Sequence, residues 1–235
     1  MKLVNVCAFI DSCIVPIAKK KAPNFKIVFI LFYLVKSDRF PEPTEKIIKT
    51  FLWGVVIIIP AAIANDLLIS NWNFLKIHDS VSHSFLSAGP IEEGLKFLIL
   101  TSIVSKYKDY DHPVDGIVYC VCLSQGFATL ENIYYIYLLY GSSFEIAVLR
   151  AITAVPAHAM FGAIMGIFYS HHLLAKKKKD KKMFFVLSII VPIILHSFYN
   201  YFMYTAPILA IVLLGSGIYY SFKIFKKWNV KKIRI

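Results

Sequence analysis

Long runs of apolar residues alternate with short polar stretches along the chain. Six of these runs are about 19 to 30 residues long, and roughly 20 residues are enough for a helix to cross a bilayer. The runs are apolar on nearly every side, so their length, rather than a helical periodicity, predicts membrane spans. The six predicted spans are Ile47–Ile69, Phe85–Ser105, Val114–Tyr140, Ile146–Ala175, Met183–Tyr204 and Pro207–Phe225.

Two shorter apolar segments, Leu3–Ala18 and Phe25–Val35, precede these runs and are divided by three lysines. We expect one segment to be a further span and the other to lie at the membrane surface. The sequence therefore predicts an all-α, polytopic membrane bundle with about seven transmembrane helices. Its predicted parts are an N-terminal segment of residues 1–46, a six-span bundle of residues 47–225 and a basic tail of residues 226–235.

Composition and charge agree with a membrane protein. Hydrophobic residues make up 58% of the chain and charged residues 17%, whereas soluble domains contain about 45–50% and about 25%. The net charge of +12 comes from lysines between the apolar runs, so we expect lipid rather than nucleic acid as a partner. The four cysteines all lie in apolar runs, which is typical of packing residues. Gly162 and Gly166, spaced as G-x-x-x-G, predict a close approach of two helices.

The numbers of lysines and arginines alternate between successive loops. Four lie between residues 36 and 49, six lysines lie between 176 and 182, and five basic residues follow Phe225. The loop around Gly141 and the turn at Thr205 contain none. By the positive-inside rule, this pattern predicts a multi-pass protein of the cell membrane with a cytoplasmic C-terminus.

Several ionisable and amide side chains fall within or near the ends of the predicted spans. Each ionisable group in a span costs a few kcal/mol on insertion, which makes it a candidate functional residue. These residues are Glu92, Glu93, Lys96, Glu131, Asn132, Arg150, His158, His196 and Asn200.

Four of these residues share one predicted depth. Glu93, Glu131, His158 and His196 each lie about 8 to 12 residues, or roughly 12–18 Å, from the outer end of their spans. Scattered structural polar residues would have no reason to agree in depth. The sequence therefore predicts one polar site in the outer half of the bilayer.

Local spacing assigns faces to some of these side chains. Glu92 and Lys96 share a helix face, so the lysine is able to neutralise one of the two carboxylates. Glu92 and Glu93 point about 100° apart, which predicts different roles for them. His196 and Asn200 lie one turn apart on one face.

These residue types suit the hydrolysis of an amide bond. A carboxylate near an imidazole is able to deprotonate water, and an imidazole with a carboxamide is able to stabilise an oxyanion. The same residues are also able to bind zinc with an open position for water, so a divalent metal and a metal-free mechanism stay open. A proton- or ion-coupled transporter would also bury such groups, but the internal repeats common in transporters are absent.

Four motifs occur in order along the chain: PIEEGLKF, GFATLENIYY, RAITAVPAHAMFG and LHSFYNYF. Together with APNFKIVFILFYLVKSDRFPEP, they resemble the PrsW family of intramembrane proteases over residues 22–202. That family is similar to the CAAX-processing and bacteriocin-immunity-type membrane proteases. The segments GFATLEN and RAITAVPAHA favour the PrsW-like alternative, and the site depth argues against a cytosolic prenylated substrate.

The resemblance implies an intramembrane protease whose substrate is a membrane-anchored protein. For this family it implies the first cleavage of an anti-sigma factor on the extracytoplasmic side. Glu92 and Glu93 would activate water with help from His158, and His196 and Asn200 would stabilise the oxyanion.

The resemblance also allows a metal site and implies supporting residues. In the metal alternative, Glu93, His158 and His196 would be ligands. Lys96 would orient the glutamates, and Arg150 would support the site. Glu131 and Asn132 match a family motif without an assigned role.

Overall fold

The computed structural model describes residues 33–71, 79–139, 144–230 and 234–235, and most of them are helical. No strand occurs in these ranges, in agreement with the all-α prediction. The segment Leu3–Ala18 and most of Phe25–Val35 lie outside the described residues. The main helices are α1 (Thr44–Asn71), α2 (Gly89–Ser102), α3 (Pro113–Tyr134), α4 (Phe144–Ile152), α5 (Ala154–Leu174), α6 (Lys178–Thr205) and α7 (Pro207–Asn229).

Five helical stretches in the described ranges are long and apolar enough to cross a membrane, which confirms a polytopic membrane protein. The predicted span Phe85–Ser105 is not among them. It consists of the 14-residue helix α2 and a preceding π-helical segment, Ser82–Ala88. The five stretches are Thr44–Leu68, Pro113–Tyr137, Phe144–Leu174, Lys178–Thr205 and Pro207–Asn229.

The predicted span Ile146–Ala175 contains a break. Helices α4 and α5 are separated at Thr153, whose φ and ψ are −120° and −69°. Pro156 lies in the first turn of α5 and has no N–H group to donate to the preceding turn, which favours a break at this point. A second π-helical segment, Tyr135–Leu139, extends α3.

The two ends of the bundle differ in charge. The lysine-rich end comprises the beginnings of α1, α3 and α6 and the ends of α2, α5 and α7. The lysine-poor end comprises the opposite helix ends and the turn at Ala206. Helix α6 already begins at Lys178, so most of the lysines predicted to lie in a loop occupy its first turns.

Helix α3 is the centre of the bundle and packs mainly against α5 and α1. It is buried from Pro113 to Ala128, including the free thiols of Cys120 and Cys122. A Cβ atom on Gly166 would collide with the carbonyl oxygen of Gly116 on α3. Gly162 faces α3 in the same way, so the predicted close approach of two helices is confirmed.

Candidate active site

A cavity of about 220 Å³ opens at the lysine-poor end of the bundle. Helices α2 to α6 all contribute to its wall. Six of the residues singled out in the sequence line it, so the structure brings together side chains from five helices. These six are Glu92, Glu131, Arg150, His158, His196 and Asn200.

Glu92 and two imidazoles converge at the base of this cavity. One ligand atom from each of Glu92, His158 and His196 lies within 4.8 Å of the others. Glu92 Oε2 is 4.0 Å from His196 Nε2 and has no hydrogen-bond partner among the described residues. All three side chains are buried. A buried carboxylate oxygen needs a partner, and this set of one carboxylate and two imidazoles fits a divalent metal.

Glu93 contacts His196 through the other ring nitrogen, Nδ1. Glu93 Oε1 accepts a hydrogen bond from His196 Nδ1 at 2.9 Å and one from Lys96 Nζ at 2.7 Å. An ionised carboxylate accepts only, so Nδ1 of His196 is the donor in this hydrogen bond, and the neutral ring offers its lone pair at Nε2. This arrangement is typical of the carboxylates that orient metal-binding histidines.

Lys96 is fully buried and lies between Glu93 and His158. Its Nζ lies 3.1 Å from His158 Nδ1 and 4.4 Å from the centre of the Phe127 ring. The lysine pairs with Glu93, three residues earlier, and not with Glu92. The two adjacent carboxylates therefore have different surroundings, in line with the predicted difference in role. Removing one partner of a buried ion pair typically costs about 3–5 kcal/mol.

Arg150 donates hydrogen bonds to Glu131 and Asn132, the two residues to which the sequence assigned no role. Its Nη2 donates to Glu131 Oε2 at 2.7 Å, and its Nε donates to Asn132 Oδ1 at 2.5 Å. The guanidinium also lies 4.0 Å from the centre of the Tyr135 ring. Glu131 Oε2 in turn contacts His158 Nε2 at 3.0 Å. Glu131 thus connects Arg150 to His158 and fixes the imidazole at the edge of the cavity.

The cavity also contains residues that the sequence did not single out. Phe161 stacks on the His196 ring with a centroid distance of 4.6 Å, and Tyr199 and His83 line the wall. His83 lies in the π-helical segment just before the predicted span, so no buried-charge signal marked it. Aromatic residues make up 15% of the chain, and therefore none of them stands out by residue type.

Residues 42–225 match the family described as "PrsW family intramembrane metalloprotease". The chain belongs to the PrsW family. This finding confirms the resemblance and assigns the chain to the membrane peptidases, and all the site residues lie within the matched range.

Named relatives agree with the family match. The chain is 35% identical over 208 residues to Protease PrsW of Bacillus subtilis (strain 168), which covers 86% of this chain and 87% of that protein. It is 32% identical over 190 residues to Protease PrsW of Clostridioides difficile (strain 630), covering 80% of each chain. The Geobacillus kaustophilus (strain HTA426) protein is 30% identical over 177 residues, or 75% of each chain. No solved structure matches the chain.

Proposed function

We propose that this PrsW-family chain hydrolyses a peptide bond in a membrane-anchored protein at the cavity between α2 and α6. The observation that carries this proposal is the convergence of Glu92, His158 and His196 within 4.8 Å. The description of the family as metalloproteases supports a bound divalent metal, such as zinc, at this place. The buried, unpartnered Oε2 of Glu92 supports the same choice.

The residues that would hold the metal are Glu92, His158 and His196. The set expected from the resemblance contained Glu93 instead of Glu92. We propose Glu92 rather than Glu93 as the carboxylate ligand because Glu92 lines the cavity, whereas Glu93 is fully buried and already pairs with Lys96. The chemistry that a divalent metal supplies in a peptidase is acidification of a bound water and polarisation of the scissile carbonyl.

The surrounding side chains have distinct tasks in this proposal. His196 acts as a ligand rather than an oxyanion donor, because its only ring proton is directed at Glu93. The Asn200 amide is one helical turn away and lines the cavity, so it donates a hydrogen bond to the substrate carbonyl. Glu131, which also lines the cavity, accepts the proton that the attacking water releases.

The distribution of charge supports cleavage on the extracytoplasmic side. The cavity opens at the lysine-poor end, and the positive-inside rule assigns the opposite end and the C-terminus to the cytoplasm. A substrate with an extracytoplasmic domain and a membrane anchor would reach this cavity. An anti-sigma factor, the substrate class that the resemblance implies, has this form.

The test uses the full chain, purified in detergent, with a membrane-anchored anti-sigma factor as substrate. We expect activity to be lost after removal of metal by a chelator and to return with zinc. Glu92→Gln should abolish both cleavage and retention of zinc, while Glu145→Gln, an exposed acid on α4, should change neither. Full activity of the metal-stripped wild-type protein would contradict the metal assignment. Cleavage by Glu92→Gln at the wild-type rate would contradict the proposed site.

A further inference from the structure

A second group of metal-ligating side chains lies at the lysine-rich end, away from the active site. Asp111, His112 and Asp115 surround the start of α3, and one ligand atom from each lies within 4.8 Å of the others. The carboxyl of Glu42, just before α1, lies beside the Asp115 side chain. Three acids and one imidazole are therefore concentrated in one small region.

Asp115 has one occupied and one free oxygen. Its Oδ2 accepts hydrogen bonds from the backbone N–H groups of Asp111 and His112 at 2.9 and 2.6 Å, which caps α3. Its Oδ1 is buried and has no hydrogen-bond partner in the described part of the chain. The side chain is completely inaccessible. An unpartnered buried carboxylate oxygen is costly, and a cation would remove that cost.

Glu42 adds another buried carboxyl group to this region. Its Oε2 accepts a hydrogen bond from the Tyr119 hydroxyl. Asp38 is 8% exposed, and its Oδ2 has no hydrogen-bond partner among the residues that the structure describes. Glu42 and Asp38 thus add two buried carboxyl groups to this end of the bundle, and a divalent cation would compensate their charge.

We propose that Asp111, His112 and Asp115 bind a divalent transition-metal cation, with Glu42 beside Asp115 as an additional carboxylate. Two or three carboxylates with one imidazole suit manganese or zinc, since soft sulfur ligands are absent from the set. This site lies at the opposite end of the bundle from the cavity and does not depend on the proposed peptidase mechanism.

The position of this site indicates what a metal would do there. Asp111 also contacts the C-terminal residues: its carbonyl accepts a hydrogen bond from the Ile235 N–H at 2.8 Å, and its carboxylate lies 3.8 Å from Arg234. Glu42 belongs to the segment before α1. A metal at the start of α3 would therefore tie together three separate parts of the chain and stabilise the folded state.

The experiment separates this metal from the one proposed for the active site. The full chain carrying His196→Ala is purified in detergent, stripped with a chelator, and dialysed against manganese or zinc. Its metal content is measured by mass spectrometry and its unfolding by a thermal melt. We expect one bound equivalent and a metal-dependent rise in Tm. Adding Asp111→Asn and His112→Gln should remove both, while adding Glu45→Gln, an exposed acid on α1, should leave both unchanged.

The substituted side chains allow a fair test. Asp111 is 44% exposed and His112 is 12% exposed, so their replacement should not prevent folding, and Asp115→Asn provides a second variant of unchanged shape. Absence of bound metal in the His196→Ala chain would overturn the proposal. Equal metal content with and without the Asp111 and His112 substitutions would also overturn it. Neither result would affect the active-site metal, which is tested by Glu92→Gln.

Discussion

The imidazole of His196 donates a hydrogen bond from Nδ1 to Oε1 of Glu93, and the two residues are 103 positions apart in the sequence. This contact connects α6 to α2 behind the cavity. It places Glu93, which has no exposed surface, in a position to orient His196 rather than to touch a substrate. The adjacent Glu92 is the carboxylate that lines the cavity.

Substitution of the two glutamates should therefore have different effects. We expect Glu93→Gln to lower kcat and metal affinity by about 10–100-fold, because an orienting carboxylate is lost. Glu92→Gln should abolish metal binding altogether. Bound metal and kcat are measured for both variants, with thermal melts to show that each is folded. Full metal content in an inactive Glu93→Gln protein would instead indicate that Glu93 acts directly on water.

Arg150→Lys tests the contact chain from Arg150 through Glu131 to His158. Lysine keeps the charge, but its single ammonium group cannot replace the planar guanidinium, which donates to Glu131 and Asn132 from two different nitrogens. We expect kcat to fall by about 10-fold or more while KM stays nearly constant, as for loss of a supporting residue. Arg39→Lys, at an exposed position, is the matched control. A raised KM with unchanged kcat would show that Arg150 binds substrate.

Asn200→Ala should remove the proposed donor to the substrate carbonyl. Loss of one such donor typically lowers kcat by about 10²–10³-fold. Thr205→Ala, five residues farther along α6 and exposed, should have little effect. The two variants are compared at saturating substrate, and nearly normal turnover of Asn200→Ala would remove the amide from the mechanism.

Helix packing around α3 can be tested with two glycines. Gly166→Ala forces a Cβ against the carbonyl oxygen of Gly116, and such overpacking typically costs about 1–3 kcal/mol. Nothing lies within 4 Å of a Cβ on Gly215 of α7, so Gly215→Ala should be neutral or stabilising by up to about 1 kcal/mol. Unfolding in mild detergent measures both. Equal stability of the two variants would contradict the close crossing of α5 and α3.

The two ends of α6 test the orientation in the membrane. In a chain with Cys7 and Cys13 replaced by serine, we expect Thr205→Cys to react with an impermeant maleimide on intact cells. Lys178→Cys should react only after the cells are opened, because the positive-inside rule predicts a cytoplasmic location for the lysine-rich end. Both positions are exposed. The reverse labelling pattern would place the cavity on the cytoplasmic side.

The common location of the polar residues was predictable from the sequence, but their pairing was not. A fixed rise per residue converts sequence position into depth, and contacts indeed connect Glu93, Glu131, His158 and His196 through Lys96 and each other. Partner choice depends on helix rotation, which an apolar run does not encode. Lys96 therefore pairs with Glu93 although the i,i+4 spacing favoured Glu92.

The shapes of three predicted spans could not be predicted from the sequence. Apolar length does not report on the backbone hydrogen-bond ladder, so the break at Thr153 and the π-helical segments Ser82–Ala88 and Tyr135–Leu139 were not predicted. Pro156 was the local signal for the break. All three irregular positions adjoin the cavity, and π-helical turns are frequent at functional sites.

The composition of α2 has a consequence for the biogenesis of the protein. This 14-residue helix contains Glu92, Glu93 and Lys96. His158, the partner of Lys96, is translated 62 residues after it. His196, the partner of Glu93, is translated 103 residues after it. A nascent α2 is therefore too short and too polar to partition into lipid when it leaves the ribosome. We therefore expect α2 to enter the bilayer only after α5 and α6 have been made, so that the order of membrane insertion differs from the order of synthesis.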